Sequence, residues 1–392
     1  MRYLSAHYVF PVSTPPLRYG IVCMNDEGCI VDVIDAGGKL EEREKLEFYN
    51  GILVPGFVNA HCHLELSHLR NAIEPQGGLI EFILSIGKAR KTNSGETVLS
   101  AAKAADEEMK RNGIVAVGDI SNNADTLGIK RKSRIWYHTF IEMFGLDGNR
   151  AQEICATAQM TEQEYFLAGM SASVAPHALY SVSSALWEEL YKSMPPQVIS
   201  IHHQESSEEM GIYLEGKGEL ADTFRKNGLL SDRHIPSKYQ MTRCLRRASR
   251  CLLVHNTFSS KDDMLEYASD HERFYFVLCP RSNMFIQNRM PDLHIFSSPE
   301  FSRNVCLGTD SLASNTSLSI LEEMKIIQEY APEIPLEMLV RWATLNGALA
   351  LGKCCFGSFE KGKTPGVNLI TGIDFDRMQL TGQSTVKDII GA

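Results

Sequence analysis

The sequence predicts an α/β protein: a distorted TIM (β/α)₈ barrel with a small β-sandwich domain formed by both chain termini. Three observations predict it. Eight apolar, β-type runs alternate with helical stretches across the middle of the 392-residue chain. Several of these runs end in His, Asp or Glu, and a barrel of parallel strands builds its site from such strand ends. The flanks, 1–53 and 355–392, read instead as short strands punctuated by Gly, Asn, Asp and Pro.

YLSAHYVFPV, YGIVCMN and CIVDVIDAG supply the N-terminal half of the small domain. FGSFEKGKTPGVNLITGI opens the C-terminal half, which is expected to pair with strands near Val9 and Ile21. The barrel is expected over 54–354, with strands at Ile52–His63, Ile114–Ile120, Arg134–Phe144, Ser171–His177, Val198–Gln204, Cys251–Thr257, Phe274–Cys279 and Asn304–Asp310. TVLSAAKAADEEMKRNG reads as a helix stopped at Gly113, and VSSALWEELYKS as one capped by Ser183. LSILEEMKIIQEYA follows the eighth strand. Repeated β-then-α units imply parallel strands and right-handed crossovers. One barrel takes about 250 residues, so the flanks fit an accessory domain.

The composition is 44% apolar and 22% charged, with a formal net charge of −9, which speaks against a general nucleic-acid surface. The basic run RCLRRASR reads as a solvated helix face. Ten cysteines are scattered without metal-ribbon spacing, which fits a reducing, cytoplasmic setting. No run has transmembrane length, and MRYLSAHYVFPVSTPP lacks the apolar stretch of a signal peptide. A homodimer is left open.

The run GILVPGFVNAHCH delivers His61 and His63 on one face, with Cys62 on the other. In VISIHHQE the adjacent His202 and His203 point oppositely, and the HxxE spacing to Glu205 selects His202 for the interior. CLLVHNT delivers His255 and NVCLGTDS delivers Asp310. Imidazoles from several strands with one carboxylate can hold a divalent cation and leave room for water. The cytidine-deaminase zinc signature is absent, as are the GxGxxG and P-loop motifs.

PGFVNAHCHLELS, the HxxE of IHHQES, the His of VHNT, LCPRSN and LGTDSLASN resemble the amidohydrolase superfamily, in its nucleobase and triazine deaminase branch. The resemblance covers nearly the whole chain. HLELSH followed by GLIEFI, with HQESSEEMGIYLEGKGELADTF, is similar to deaminases of 5′-substituted adenine nucleosides of the aminodeoxyfutalosine or S-adenosylhomocysteine kind. It implies a barrel inserted between two halves of a β domain, and hydrolytic release of ammonia from a small heterocyclic substrate. His61, His63, His202 and Asp310 are the implied metal ligands. Glu205 is the implied proton shuttle, with His255 and Asp310 orienting and deprotonating water. The fourth strand ends in His177 rather than a lysine that could bridge two metals, so one divalent metal is expected, zinc first, with iron or manganese also compatible. His177, Glu65, Arg281, Asn283 and Ser311 are candidate substrate contacts, each with a loop-tying or supporting role as its alternative. Asp119 and Glu142 end strands without an assigned role. Guanine, pterin, triazine or cyclic-amide hydrolysis remains open, as does a non-catalytic scaffold.

Overall fold

The structure, a computed structural model, describes residues 1–40, 43–89, 94–215, 217–226, 228 and 237–391. Two parallel four-stranded sheets form its centre. The first runs in order through β6 (Phe57–Cys62), β7 (Ile114–Ser121), β8 (Trp136–Met143) and β9 (Ser171–Pro176). The second runs through β10 (Val198–His203), β11 (Arg250–His255), β12 (Phe274–Leu278) and β13 (Val305–Leu307). At the two seams between the sheets, pairing shrinks to the isolated bridges Ala178↔His202 and Cys62↔Asp310. The His202 amide donates to the His177 carbonyl at 2.9 Å, and the Asp310 amide to His61 at 3.1 Å. Because the strands are parallel, their C-terminal ends lie on one side and deliver the polar residues together.

Helices span the connections. α1 is Gly78–Ala89, α2 Gly95–Arg111, α3 Ser184–Ser193, α4 Ser207–Glu215, α5 Glu219–Lys226, α6 Ile320–Tyr330 and α7 Leu336–Ala343. Ser183 caps α3 by accepting from the Leu186 amide at 3.3 Å. α2 stops two residues before Gly113, whose φ is +70°. One large apolar core, holding Trp187, Trp342, Tyr137 and Phe140, fills the strands and the helices around them. No helix among the described residues is long and apolar enough to cross a membrane.

Both chain ends pair into a separate sheet, β15-β14-β5-β1-β3-β4, with β2 on β1. These strands are β1 (Arg2–Val9), β2 (Leu17–Arg18), β3 (Ile21–Met24), β4 (Ile30–Ile34), β5 (Leu46–Pro55), β14 (Val367–Asp374) and β15 (Gln379–Ile390). Three expectations need correcting. Ile52–His63 is two strands, because β5 stays in the terminal sheet through Pro55 and β6 starts the barrel at Phe57. Gly56 makes that crossing, where a Cβ would lie 2.3 Å from Val115 and 2.6 Å from the Pro365 carbonyl. The C-terminal strand β14 ladders to Ile52–Pro55 and not to Val9 or Ile21, which are reached only through β5 and β1. The eighth strand ends at Leu307, so Asp310 stands beyond it with φ +56°.

Candidate metal and catalytic site

His63 Nε2 lies 3.1 Å from His61 Nε2 and 3.3 Å from His202 Nε2. Asp310 Oδ1 completes the cluster, 3.5 Å from His63 Nε2 and 3.7 Å from His61 Nε2. His61, His63 and Asp310 thus form one close triad of buried donors, and His61, His202 and His255 form a second that shares His61. Nitrogen lone pairs this close repel unless a proton or a cation lies between them, so the donor set fits a divalent metal. Gly308 permits the convergence: a Cβ there would sit 2.9 Å from His61 Cβ.

Each donor is aimed by a partner behind it. His202 Nδ1 is 3.0 Å from the His177 carbonyl, which turns Nε2 inward. Ser282 and Ser314 hydroxyls donate to Asp310 Oδ2 at 2.6 and 2.8 Å, leaving Oδ1 to the histidines. Burial pushes the His61 imidazole below its ordinary pKa, Asp310 opposing. Burial and then the neighbouring His177 push His202 well below it. Burial thus favours the neutral imidazole at both positions, the form that can bind a metal. Burial alone would raise the Asp310 carboxyl, but the His61 hydrogen bond and the charges of His63 and His255 hold it well below the carboxylate range.

Beside the cluster, Glu205 Oε1 lies 3.7 Å from His255 Nε2. Burial raises the Glu205 carboxyl, against the pull of His255. His255 Nδ1 sits 2.8 Å from Asn283 Oδ1; as the donor there, it leaves Nε2 bare toward the cluster. Gln204, His255, Asn256 and Asp310 all have positive φ at strand ends, a rare backbone state for bulky residues that clusters at functional sites. His203 turns away, its Nδ1 3.1 Å from Asn256 Oδ1 and its ring edge-on to Tyr267.

A cavity of about 690 Å³ opens over these residues. Among the substrate-contact candidates, His177 and Ser311 line it, and Glu65, Arg281 and Asn283 do not. Glu65 Oε2 accepts from the Asn122 amide at 3.0 Å. Arg281 Nε donates to Asn315 Oδ1 at 3.0 Å, and its amide donates to Glu323. Both placements follow the loop-tying alternative, because partners brought in from 34 to 57 positions away take up these polar atoms. Glu142 lines the cavity and accepts from Asn122 Nδ2 at 2.9 Å. Asp119 is buried out of reach. It accepts from the Leu64 amide at 2.8 Å and pairs with Lys130 Nζ at 2.5 Å. Lys130 had no signal in the sequence, since nothing in LGIK distinguishes a buried cation from a surface one. The apolar wall of α1 was also missed, although Phe82, Ile83 and Ile86 recur there at helical spacing.

A model of the amidohydrolase family matches residues 52–386. The chain belongs to that family, and with it to the hydrolases of C–N bonds other than peptide bonds. An adenosine deaminase of Helicobacter pylori is 26% identical over 315 residues, 78% of this chain and 75% of that protein. An aminodeoxyfutalosine deaminase of Nitratiruptor sp. is 27% identical over 363 residues, 87% and 82% of the two chains. Among solved structures, Helicobacter pylori aminofutalosine deaminase in complex with methylthio-coformycin superposes with a TM-score of 0.77 at 23% identity, covering 94% of this chain and 92% of that one. A Xanthomonas campestris adenosine deaminase with bound zinc gives 0.72 at 21% identity, covering 96% and 86%.

Proposed function

We propose that this chain is a zinc-dependent deaminase of adenine-type nucleosides that carry a 5′ substituent. The observation that carries the reading is a buried Glu205–His255 pair beside a His₃Asp cluster, at the base of a cavity of about 690 Å³. The sequence relatives named for adenosine and aminodeoxyfutalosine support the choice of an adenine ring.

His61, His63, His202 and Asp310 would hold the ion, whose chemistry is to lower the pKa of a water and so supply the nucleophile. His255, with Nδ1 committed to Asn283, accepts a hydrogen bond from that water at Nε2 and so orients it. Asp310, fixed by two serines on Oδ2, presents Oδ1 for the water's proton. Glu205, whose burial favours the protonated form, donates to the ring nitrogen beside the amino-bearing carbon. Without that proton, attack would leave charge on the ring. The Glu205 carboxylate so formed takes the second proton of the added water as the ring carbonyl forms, and the proton held by Asp310 passes to the amino group, which leaves as ammonia. Leu66, Phe82, Ile83 and Phe224 form an apolar wall that receives the 5′ group.

Glu205→Gln tests this assignment. It is expected to keep metal and fold and to lose roughly 10²–10⁴ in turnover; loss of metal would make Glu205 a ligand and end the proton-shuttle role. Ammonia release and purine absorbance are followed with aminodeoxyfutalosine, S-adenosylhomocysteine, 5′-methylthioadenosine and adenosine, the last expected to be the poorest. If metal-loaded enzyme ignores all four but hydrolyses guanine, a pterin or a triazine, the nucleoside reading falls.

A further inference from the structure

We propose that a second cavity, at the other end of the barrel, binds a small organic oxyanion. This cavity, of about 430 Å³, lies where the exit of β1 meets the segment before β13 and the helix α7. Ser302 and Arg303 precede β13, so it opens at the N-terminal ends of the strands, away from the metal cluster.

Two guanidiniums, Arg303 and Arg341, line it. Neither makes an ion pair or a side-chain hydrogen bond among the described residues. Burial, and then the charge of Arg303, lower the Arg341 pKa, so the two cations are close enough to repel. Glu337 is the acid in the lining; it is exposed and acts on Arg341 only through space. A half-buried arginine without an acceptor beside a second arginine is a costly arrangement that an oxyanion relieves, because each fork can take two oxygens.

Apolar groups give the ligand its second property. Phe10, Val12 and Met338 form part of the wall. Val12 has φ +70°, a strained state for a β-branched residue. It is held there because the Phe10 amide donates to Leu53 at 2.8 Å and the Pro11 carbonyl accepts from Phe359 at 2.9 Å. The site therefore suits a phosphate or carboxylate attached to a flat or apolar body. This assignment is independent of the deaminase reading.

Calorimetric titration of the metal-loaded, full-length protein tests it, with phenyl phosphate, benzoate and inorganic phosphate as probes and ionic strength held constant with chloride. Phenyl phosphate or benzoate is expected to saturate one site per chain at least about tenfold more tightly than inorganic phosphate, the tighter of the two naming the head group. Arg303→Ala, at an exposed position where folding is not at stake, and Arg341→Ala should each weaken that binding roughly tenfold or more without loss of metal. No saturable binding, equal affinity for inorganic phosphate, or affinity unchanged in both variants would overturn the proposal.

Discussion

Replacing Lys130 by Met removes the buried cation under the first metal-ligand loop. Its Nζ lies 2.5 Å from Asp119 Oδ2 and 2.9 Å from Ser121 Oγ, and both charged side chains are 0% exposed. Burial, the largest influence, would lower the Lys130 pKa, but the charges and hydrogen bonds of Asp119 and Tyr165 together raise it and the group stays charged. Lys130→Met leaves Asp119 buried without its counter-ion, an effect of about 3–5 kcal/mol on folding stability. Asp119→Leu combined with Lys130→Met takes both charges away, and such apolar replacement of a buried pair is neutral or stabilising. Stability should therefore return in the double variant. Metal affinity should not, because the Leu64 amide has lost its acceptor at 2.8 Å and adjoins His63, one of the proposed ligands. Loss of a support of this kind costs roughly 10–100-fold in affinity. Urea unfolding gives the first quantity and zinc competition against a chelator the second. A single variant within about 1 kcal/mol of the parent, or a double variant that binds zinc like the parent, would refute the reasoning.

Three further outcomes are expected. Asn283→Ala frees His255 Nδ1 and should lower turnover roughly 10–100-fold with metal retained; unchanged turnover would show that the ring needs no such anchor. The buried Glu209 carboxyl is pushed up to about 8 by burial, against the backbone N–H groups of Glu205 and Gln204, from an ordinary 4.5. Its folded pKa is raised, so its contribution to stability is full below pH 4.5 and lost as pH rises through about 8. Glu209→Gln mimics the protonated form and should flatten the fall in melting temperature between pH 5 and pH 8; an unaltered slope would exclude Glu209 as its source. Truncation after Leu351 removes β14 and exposes the edge of β5 at Ile52–Pro55, so the fragment should aggregate, as light scattering would show. A soluble and active fragment would mean that β5 needs no such cover.

Much of the fold could be read from the chain because each part of it is local. Strand and helix periods, the Gly113 stop and the Ser183 cap are set by neighbours a few residues away. The pair His61 and His63 follows from alternation along a strand, and His202 with Glu205 follows from the HxxE spacing. These are short-range consequences of backbone geometry, so sequence by itself determined them. The packing around them was decided elsewhere. Asn283 stands 28 positions from His255 and Lys130 stands 11 from Asp119 along the chain, and only the folded sheets put each pair in contact. Arg281 looked equally able to meet a ring or a loop until Asn315 and Glu323 were placed beside it. Ile52–His63 read as one strand because apolar residues continue on both sides of the Pro55–Gly56 step; that the step changes sheets, and that Val115 and the Pro365 carbonyl leave no room for a Cβ at Gly56, is set by distant parts of the chain. Alternation and spacing named the donors, whereas their partners, the apolar wall of α1 and the two arginines of the second cavity were chosen by three-dimensional proximity, which a linear pattern does not encode.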